Sequence, residues 1–180
     1  QMCIRDSVLA TVFSSSSVLA QTNGTWNVQG GNWSVGTNWV GGNIADGGGI
    51  ATFDNFRGQL SNIVVTVDTT SRTLSQINFN QSFSVGIAGS GGGSILVSPT
   101  GLTLNSVAST ISSPTSFFNT VNGISAVIAG TGGLVKTGQG NVALSGANTF
   151  TGNVVINEGA LWLTAGTAAG QDTALGNVAN

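Results

Sequence analysis

Residues 130–163 read GTGGLVKTGQGNVALSGANTFTGNVVINEGALWL, short apolar runs cut by glycine at intervals too close for a helix. Each glycine inside a helix costs roughly 1 kcal/mol relative to alanine, and no apolar stripe at 3.6-residue spacing compensates. Leu134 with Val135 opens the series, and Val142 with Leu144, Val154 with Ile156 and Leu161 with Leu163 continue it. The last three pairs are two residues apart, which places each pair on one face of an extended strand. Gly138, Gly140, Gly146, Gly152 and Gly159 fall between the pairs. Glycine tolerates positive φ, so these positions are expected to turn the chain. The phrase recurs in Gly101-Leu-Thr-Leu104, Gly140-Asn-Val-Ala-Leu144 and Gly159-Ala-Leu-Trp-Leu163, and Leu104, Ile124 and Leu144 are 20 residues apart, with Leu163 a further 19 along. A regular period of strands without helices predicts an all-β, coiled parallel structure in which each turn buries its inward side chains against the next, a β-solenoid.

Lys136, Gly138, Gly140, Leu144, Gly146, Asn148, Phe150, Gly152, Ile156, Gly159 and Leu161 also follow a known pattern. The stretch resembles the autotransporter-associated β-strand repeat, G-x-G-x-L-x-K-x-G-x-G-x-L-x-L-x-G-x-N-x-[YF]-x-G-x-[TV]-x-[IV]-x-x-G-x-L. It departs at Gly133, an added glycine, at Val142 in place of the first Leu, and at Phe150 where Tyr is commoner. The resemblance covers one full unit, at about 130–163, and part of a second over 165–180. It implies a passenger-type, right-handed parallel β-helix belonging to the N-terminal part of a large secreted or surface-exposed bacterial protein. Its first partners would be neighbouring β-solenoid repeats of the full-length chain.

Composition narrows the chemistry. Charged residues make up 6% of the chain, against about 25% in an average soluble domain. A net charge of −2 provides no basic patch, so no nucleic-acid partner is expected. The 40% apolar content is more than a disordered low-complexity chain carries. Histidine is absent, which removes the commonest general base and zinc ligand from this stretch and excludes a Ser-His-Asp or Cys-His site within it. The single lysine, Lys136, follows Val135 and not a glycine-rich phosphate loop. Gly138-Gln-Gly140-Asn-Val-Ala143 fits G-x-G-x-x-A, with Glu158 further on. A dinucleotide site would need a helix at that point, whereas Val142 to Leu144 reads as a strand. No cofactor, metal or catalytic residue is therefore assigned.

Residues 1–7, QMCIRDS, stand outside the pattern, and back-translated they resemble a sequencing-library adapter end. Without them the chain has no cysteine. Residues 8–20, VLATVFSSSSVLA, resemble the end of a secretory signal peptide closed by Val18-x-Ala20, with a first core strand as the structural alternative. The run is shorter than the roughly 20 residues a membrane-spanning helix needs, so the chain is not expected to span a membrane itself. Export through this signal, taken with the family the repeat resembles, implies a secreted or surface location in a Gram-negative-type bacterium.

Over 21–57 the texture changes, with Trp26, Trp33 and Trp39 close together. The first coil of a solenoid needs a cover, and large aromatics bury much area per residue, so this segment is expected to be an N-terminal cap on a solenoid spanning 58–180. The alternative is a carbohydrate platform, with Trp26, Trp33, Trp39 or Trp162 contacting glycan. Strands are expected at 63–67, 73–79, 83–85 and 95–97, with Pro99 and Pro114 in turns. Asp46, Asp54 and Asp68, with Arg57 and Arg72, form the densest acidic and basic cluster, and the simpler reading makes Asp46 and Asp68 turn residues. Asn148 is expected to bond backbone groups in a tight turn, and stacked copies would form an amide ladder. Three roles follow: a structural, non-catalytic stalk; an adhesin or carbohydrate-binding module meeting surface glycans or host and matrix surfaces; or part of a polysaccharide-acting β-helix enzyme. An open coil edge would make the isolated chain self-associate.

Overall fold

The computed structural model describes residues 20–54, 62–81, 83–106 and 121–164. The assignments made to residues 1–7, to the apolar run up to residue 19, to Arg57, to Pro114 and to 165–180 lie outside these. The chain enters through β1 (Gly24–Thr25) and β2 (Gly30–Asn32) and passes two single 3-10 turns, Gly36–Asn38 and Val40–Gly42. It then winds through β3 (Gly49–Phe53), β4 (Ile63–Val67), β5 (Arg72–Phe79) and β6 (Val85–Gly89). β7 (Ser94–Val97), β8 (Leu102–Ser106) and β9 (Val121–Ile124) make the following coil. β10 (Val127–Ala129), β11 (Leu134–Thr137) and β12 (Asn141–Leu144) make another, and β13 (Val154–Ile156) and β14 (Ala160–Leu163) close the described chain.

Each coil gives one strand to each of two sheets. The first runs β1-β3-β5-β8-β11-β13 and the second β2-β4-β6-β9-β12-β14, while β7 and β10 form a short third row beside the first half of β5. All pairings between these strands are parallel. Parallel neighbours need a crossover connection, and here each crossover is the opposite side of the same coil. The molecule is a parallel β-helix.

Alternation decides which side chains enter. Ile63, Val65 and Val67 of β4 are buried while Val64 between them is 58% exposed. The inward column of the first sheet is Ala51, Ile77, Leu104, Lys136 and Ile156, matched in register from coil to coil. In the second sheet Ile124, Leu144 and Leu163 are register partners, so their near-twenty spacing does mark successive coils. Leu104 is different. It sits in the first sheet between Ile77 and Lys136, so its spacing from Ile124 joins two sheets rather than two coils. A coil of 20 residues separates Lys136 from Ile156, but 32 separate Leu104 from Lys136 and 27 separate Ile77 from Leu104. The strand expected at 83–85 begins at Val85, where register with Ile63 starts, and extends to Gly89. On β11 the inward pair is Leu134 and Lys136, not Leu134 and Val135.

The tryptophans close the end beside β1. Trp26, Trp33 and Trp39 are 1%, 0% and 1% exposed. Trp39 meets Trp26 and Trp33 edge to face, with ring centroids 5.0 Å and 4.9 Å apart, and all three rings lie against Phe53, which stacks on Phe79 of the next coil. The Trp39 indole N–H donates to the Trp33 carbonyl at 2.8 Å, and that of Trp33 to the Ala45 carbonyl at 3.0 Å. Burying each ring removes roughly 150–250 Å² from water, an upper limit of about 4–6 kcal/mol at 25 cal/mol/Å². The edge of the third row is closed by charge instead. Asp46 accepts the Thr73 N–H of β5 and its own Gly47 N–H at 2.9 Å and 2.8 Å, and its other oxygen pairs with Arg72 at 2.9 Å. At the far end Ile156 and Leu163, in register with buried Lys136 and Leu144, are 52% and 39% exposed.

Candidate functional site

A set of specific contacts ties one 20-residue coil to the next. Lys136 faces inward on β11 and is fully buried. Its ammonium donates to the carbonyls of Thr137 at 2.6 Å and Gly138 at 2.7 Å in its own turn, and to that of Glu158 at 3.2 Å in the turn above. A buried cation needs acceptors for its protons, and carbonyls left over by tight turns need donors. Lys136 answers both. Burial holds its amine below the usual lysine range, partly offset by attraction to the Glu158 carboxylate.

The opposite corner uses an amide. Buried Asn148 directs Oδ1 back one coil to accept the Ile128 N–H at 2.8 Å. Asn122 does the same between earlier coils, accepting the Val85 N–H at 2.9 Å and donating to Ser106 Oγ at 3.1 Å.

The five glycines do not all turn the chain by positive φ as expected. Gly138 and Gly159 do, at φ 72° and 70°. Gly146 and Gly152 serve another purpose: a Cβ on Gly146 would stand 2.5 Å from the Ala126 carbonyl oxygen, and one on Gly152 would stand 2.5 Å from the Gly132 carbonyl carbon. They are small because backbone of the coil below occupies the space. Gly140 is buried, with its N–H on the Ser106 carbonyl at 2.8 Å. Leu144 and Phe150 are buried in the core, Leu161 packs partly against it, and Ile156 is 52% exposed.

Comparison with known proteins assigns this corner. Residues 134–163 match the family model of the passenger-associated-transport-repeat. The chain carries a passenger-associated-transport-repeat at these positions. Over 134 residues, 74% of its length, it is also 31% identical to a protein of Brucella suis biovar 1 (strain 1330) described as "Adhesin BmaC autotransporter". The aligned segment spans only 3% of that relative. No solved structure matches significantly.

Within the passenger repeat, Gly138-Gln-Gly140-Asn-Val-Ala143 leads into strand Asn141–Leu144, with no helix end at which a pyrophosphate could sit. The acidic residues do not converge. Asp46 is held by Arg72 and Thr73, Asp54 accepts from Asn80 Nδ2 at 2.8 Å, and Asp68 accepts from the Ser34 N–H at 3.1 Å and from its hydroxyl. Each ties one coil to its neighbour. Burial works to raise the Asp68 pKa, but the Ser34 hydroxyl and N–H, its own N–H and Arg72 together outweigh it and hold the carboxyl below its usual range. Among the described residues no three His, Cys, Asp or Glu side chains gather where they could hold a metal ion.

Trp26, Trp33 and Trp39 present no ring face to solvent, so the sugar-platform reading finds them inside the cap. Trp162 is placed differently, outward on β14 and 45% exposed. An amide ladder does exist, at positions the sequence reading did not single out. Asn105 donates to Asn78 at 3.2 Å, and Asn78 to Thr52 at 3.4 Å, along one outer row of the first sheet. Its signal was the repeated pair Ile77-Asn78 and Leu104-Asn105.

Proposed function

We propose that this chain is a capped segment of a non-catalytic passenger stalk, exported through the signal-like run 8–20 and displayed at a Gram-negative cell surface as part of an adhesin-type protein. The observation that carries this reading is the polarity of the coil stack. One end is sealed by three buried indoles and the Asp46–Arg72 pair, while the other turns inward-type residues Ile156 and Leu163 to a face on which a further coil would stack. Such a stack, with neighbouring repeats as its partners, extends by adding coils without new chemistry. The passenger-repeat match and the similarity to an autotransporter adhesin support it, as does the separate engagement of each described Asp carboxylate.

The test is display of the full-length gene product in a Gram-negative host, with an epitope inserted at the exposed Gly41-Gly42 turn. External antibody and protease should reach the epitope on intact cells. An epitope reachable only after the outer membrane is opened would refute display, and polysaccharide cleavage lost on substituting Asp46, Asp54 or Asp68 would refute the non-catalytic role.

A further inference from the structure

The outer face of the second sheet carries three aligned rows that the stalk reading leaves unused. Ile124, Leu144 and Leu163 are register partners, so the residues that follow them, Ser125, Ser145 and Thr164, stand one above another, and all three are exposed. Two positions earlier on the same outward face is the row Gly123, Ala143, Trp162. The row before that is Val121, Asn141, Ala160. A Cβ on Gly123 would meet nothing within 4 Å, so the floor beside the hydroxyls is open. Trp162 rises at the end of this floor as an aromatic wall.

At its lower end the hydroxyl row leads into a notch. The corner Gly89–Ser94 projects beside the tight Ser125-Ala126 corner of the next coil and, with Ser125 and Val127, borders a shallow, solvent-open depression of about 370 Å³. Gly91 and Gly92 lie at φ 60° and 88°, and a side chain on Gly92 would meet nothing within 4 Å. The lining is backbone, three serines and one valine, with no charged residue. Asp68, in the corner below, directs its carboxylate to Ser34.

We propose that this strip and notch bind a neutral glycan, with a sugar ring against Trp162 and hydroxyls along Thr164, Ser145 and Ser125. This inference rests on the adhesin-type reading above and names its ligand class. The reasons are chemical. Neither the notch nor the described outward residues of β6, β9, β12 and β14 carry a charge, so nothing rewards a sulfated, sialylated or phosphorylated partner. A sugar has an apolar C–H face and a polar rim, and the strip offers an indole face and a hydroxyl rail side by side. The Ser125 and Thr164 hydroxyls are only loosely engaged, each at 3.4 Å from a backbone carbonyl, which leaves them free to bond a ligand. Two coil steps of about 4.8 Å separate Ser125 from Thr164, a span of about 10 Å that suits a short oligosaccharide. A protein partner fits less well, because the floor of glycine and alanine supplies no side chains to interdigitate.

Quenching of tryptophan fluorescence by acrylamide reads this directly, since Trp162 is the exposed indole beside three buried ones. The full chain is titrated with neutral gluco-, manno- and galacto-oligosaccharides, and with sialylated and sulfated ones. At least one neutral series should shield Trp162 and bind saturably. Trp162→Ala should weaken that binding at least about tenfold, read by calorimetry. Gly123→Val, whose Cβ would meet nothing within 4 Å on the open floor, should weaken it while preserving the melting temperature. Shielding by no glycan, binding confined to charged glycans, or dimerisation of the chain that Trp162→Ala abolishes would each overturn the proposal. Display at the cell surface is measured separately. A displayed protein that binds no neutral glycan refutes the strip alone, and glycan binding by a chain that is never displayed refutes the stalk alone.

Discussion

Gly152 and Gly123 look alike in sequence, each a small residue near a strand, but the fold predicts opposite signs for the same substitution. Neither has positive φ, so alanine meets no backbone strain at either site. At Gly123 the new methyl group points into open space. Alanine then acts through the unfolded chain, restricting it and stabilising the protein by about 0.4–1 kcal/mol. At Gly152 the methyl carbon would lie 2.5 Å from the Gly132 carbonyl carbon and 2.6 Å from its oxygen, against the 3.4 Å at which ordinary contact begins. Those atoms are backbone, so relief requires the two coils to separate by several tenths of an ångström. That strains the Leu134 N–H bond to the Asn153 carbonyl, now 2.9 Å. Overpacking of this kind costs about 1–3 kcal/mol, and after the gain from the unfolded state a net loss of about 1–2 kcal/mol remains. For a chain of this size the midpoint of thermal unfolding should fall by roughly 2–8 °C for Gly152→Ala and rise by roughly 1–4 °C for Gly123→Ala. Circular dichroism melts give the midpoints, and amide exchange locates the damage, which should fall on β11 and β13 and spare β3 and β5. Equal shifts for the two variants, or damage spread evenly over the stack, would refute the claim that backbone contact between coils fixes the glycine.

Other substitutions probe the remaining clamps. Trp39→Ala should destabilise the chain by about 3–5 kcal/mol, since it empties the centre of the cap, and a urea midpoint unchanged from the parent would count against a packed cap. Lys136→Met keeps the apolar stem but strips the donor from three carbonyls, and exchange protection around Gly138 and Gly159 should drop while the cap stays protected. The parent has a second signature at alkaline pH. Because burial lowers the Lys136 pKa in the folded state, the unfolded chain holds the extra proton between the folded value and about 10.4, so stability should rise with pH through that window, and in Lys136→Met this rise should vanish. Asp68 works with the opposite sense at acid pH. Its lowered folded pKa contributes stability that is complete above about 3.9 and is lost as pH falls through the folded value, so Asp68→Asn should flatten the acid limb of the stability profile.

The stack was legible in sequence wherever a coil is short. Between Lys136 and Ile156 no insertion interrupts the 20-residue turn, so glycines, apolar pairs and register coincide. Upstream, coils of 27 and 32 residues break the period, and Leu104 was read into the wrong column because its distance to Ile124 happened to equal a coil. Asn148 was expected to bond backbone groups within a tight turn, whereas its oxygen accepts the Ile128 N–H, 20 residues back on the neighbouring coil. Asn122 was missed, since its donor, the Val85 N–H, lies 37 residues away on the preceding coil.

The sequence alone determined that this chain is made of short strands, that it coils, and that its charged residues are few, because glycine spacing and composition act locally and leave few alternatives. Tertiary structure decided what each repeated residue is for. Whether a tryptophan seals an end or stands outward depends on which side of a strand the register gives it, as Trp39 and Trp162 show. Whether a lysine is a solvated charge or the pin between two turns depends on carbonyls that stacking brings to it, one of them 22 residues away.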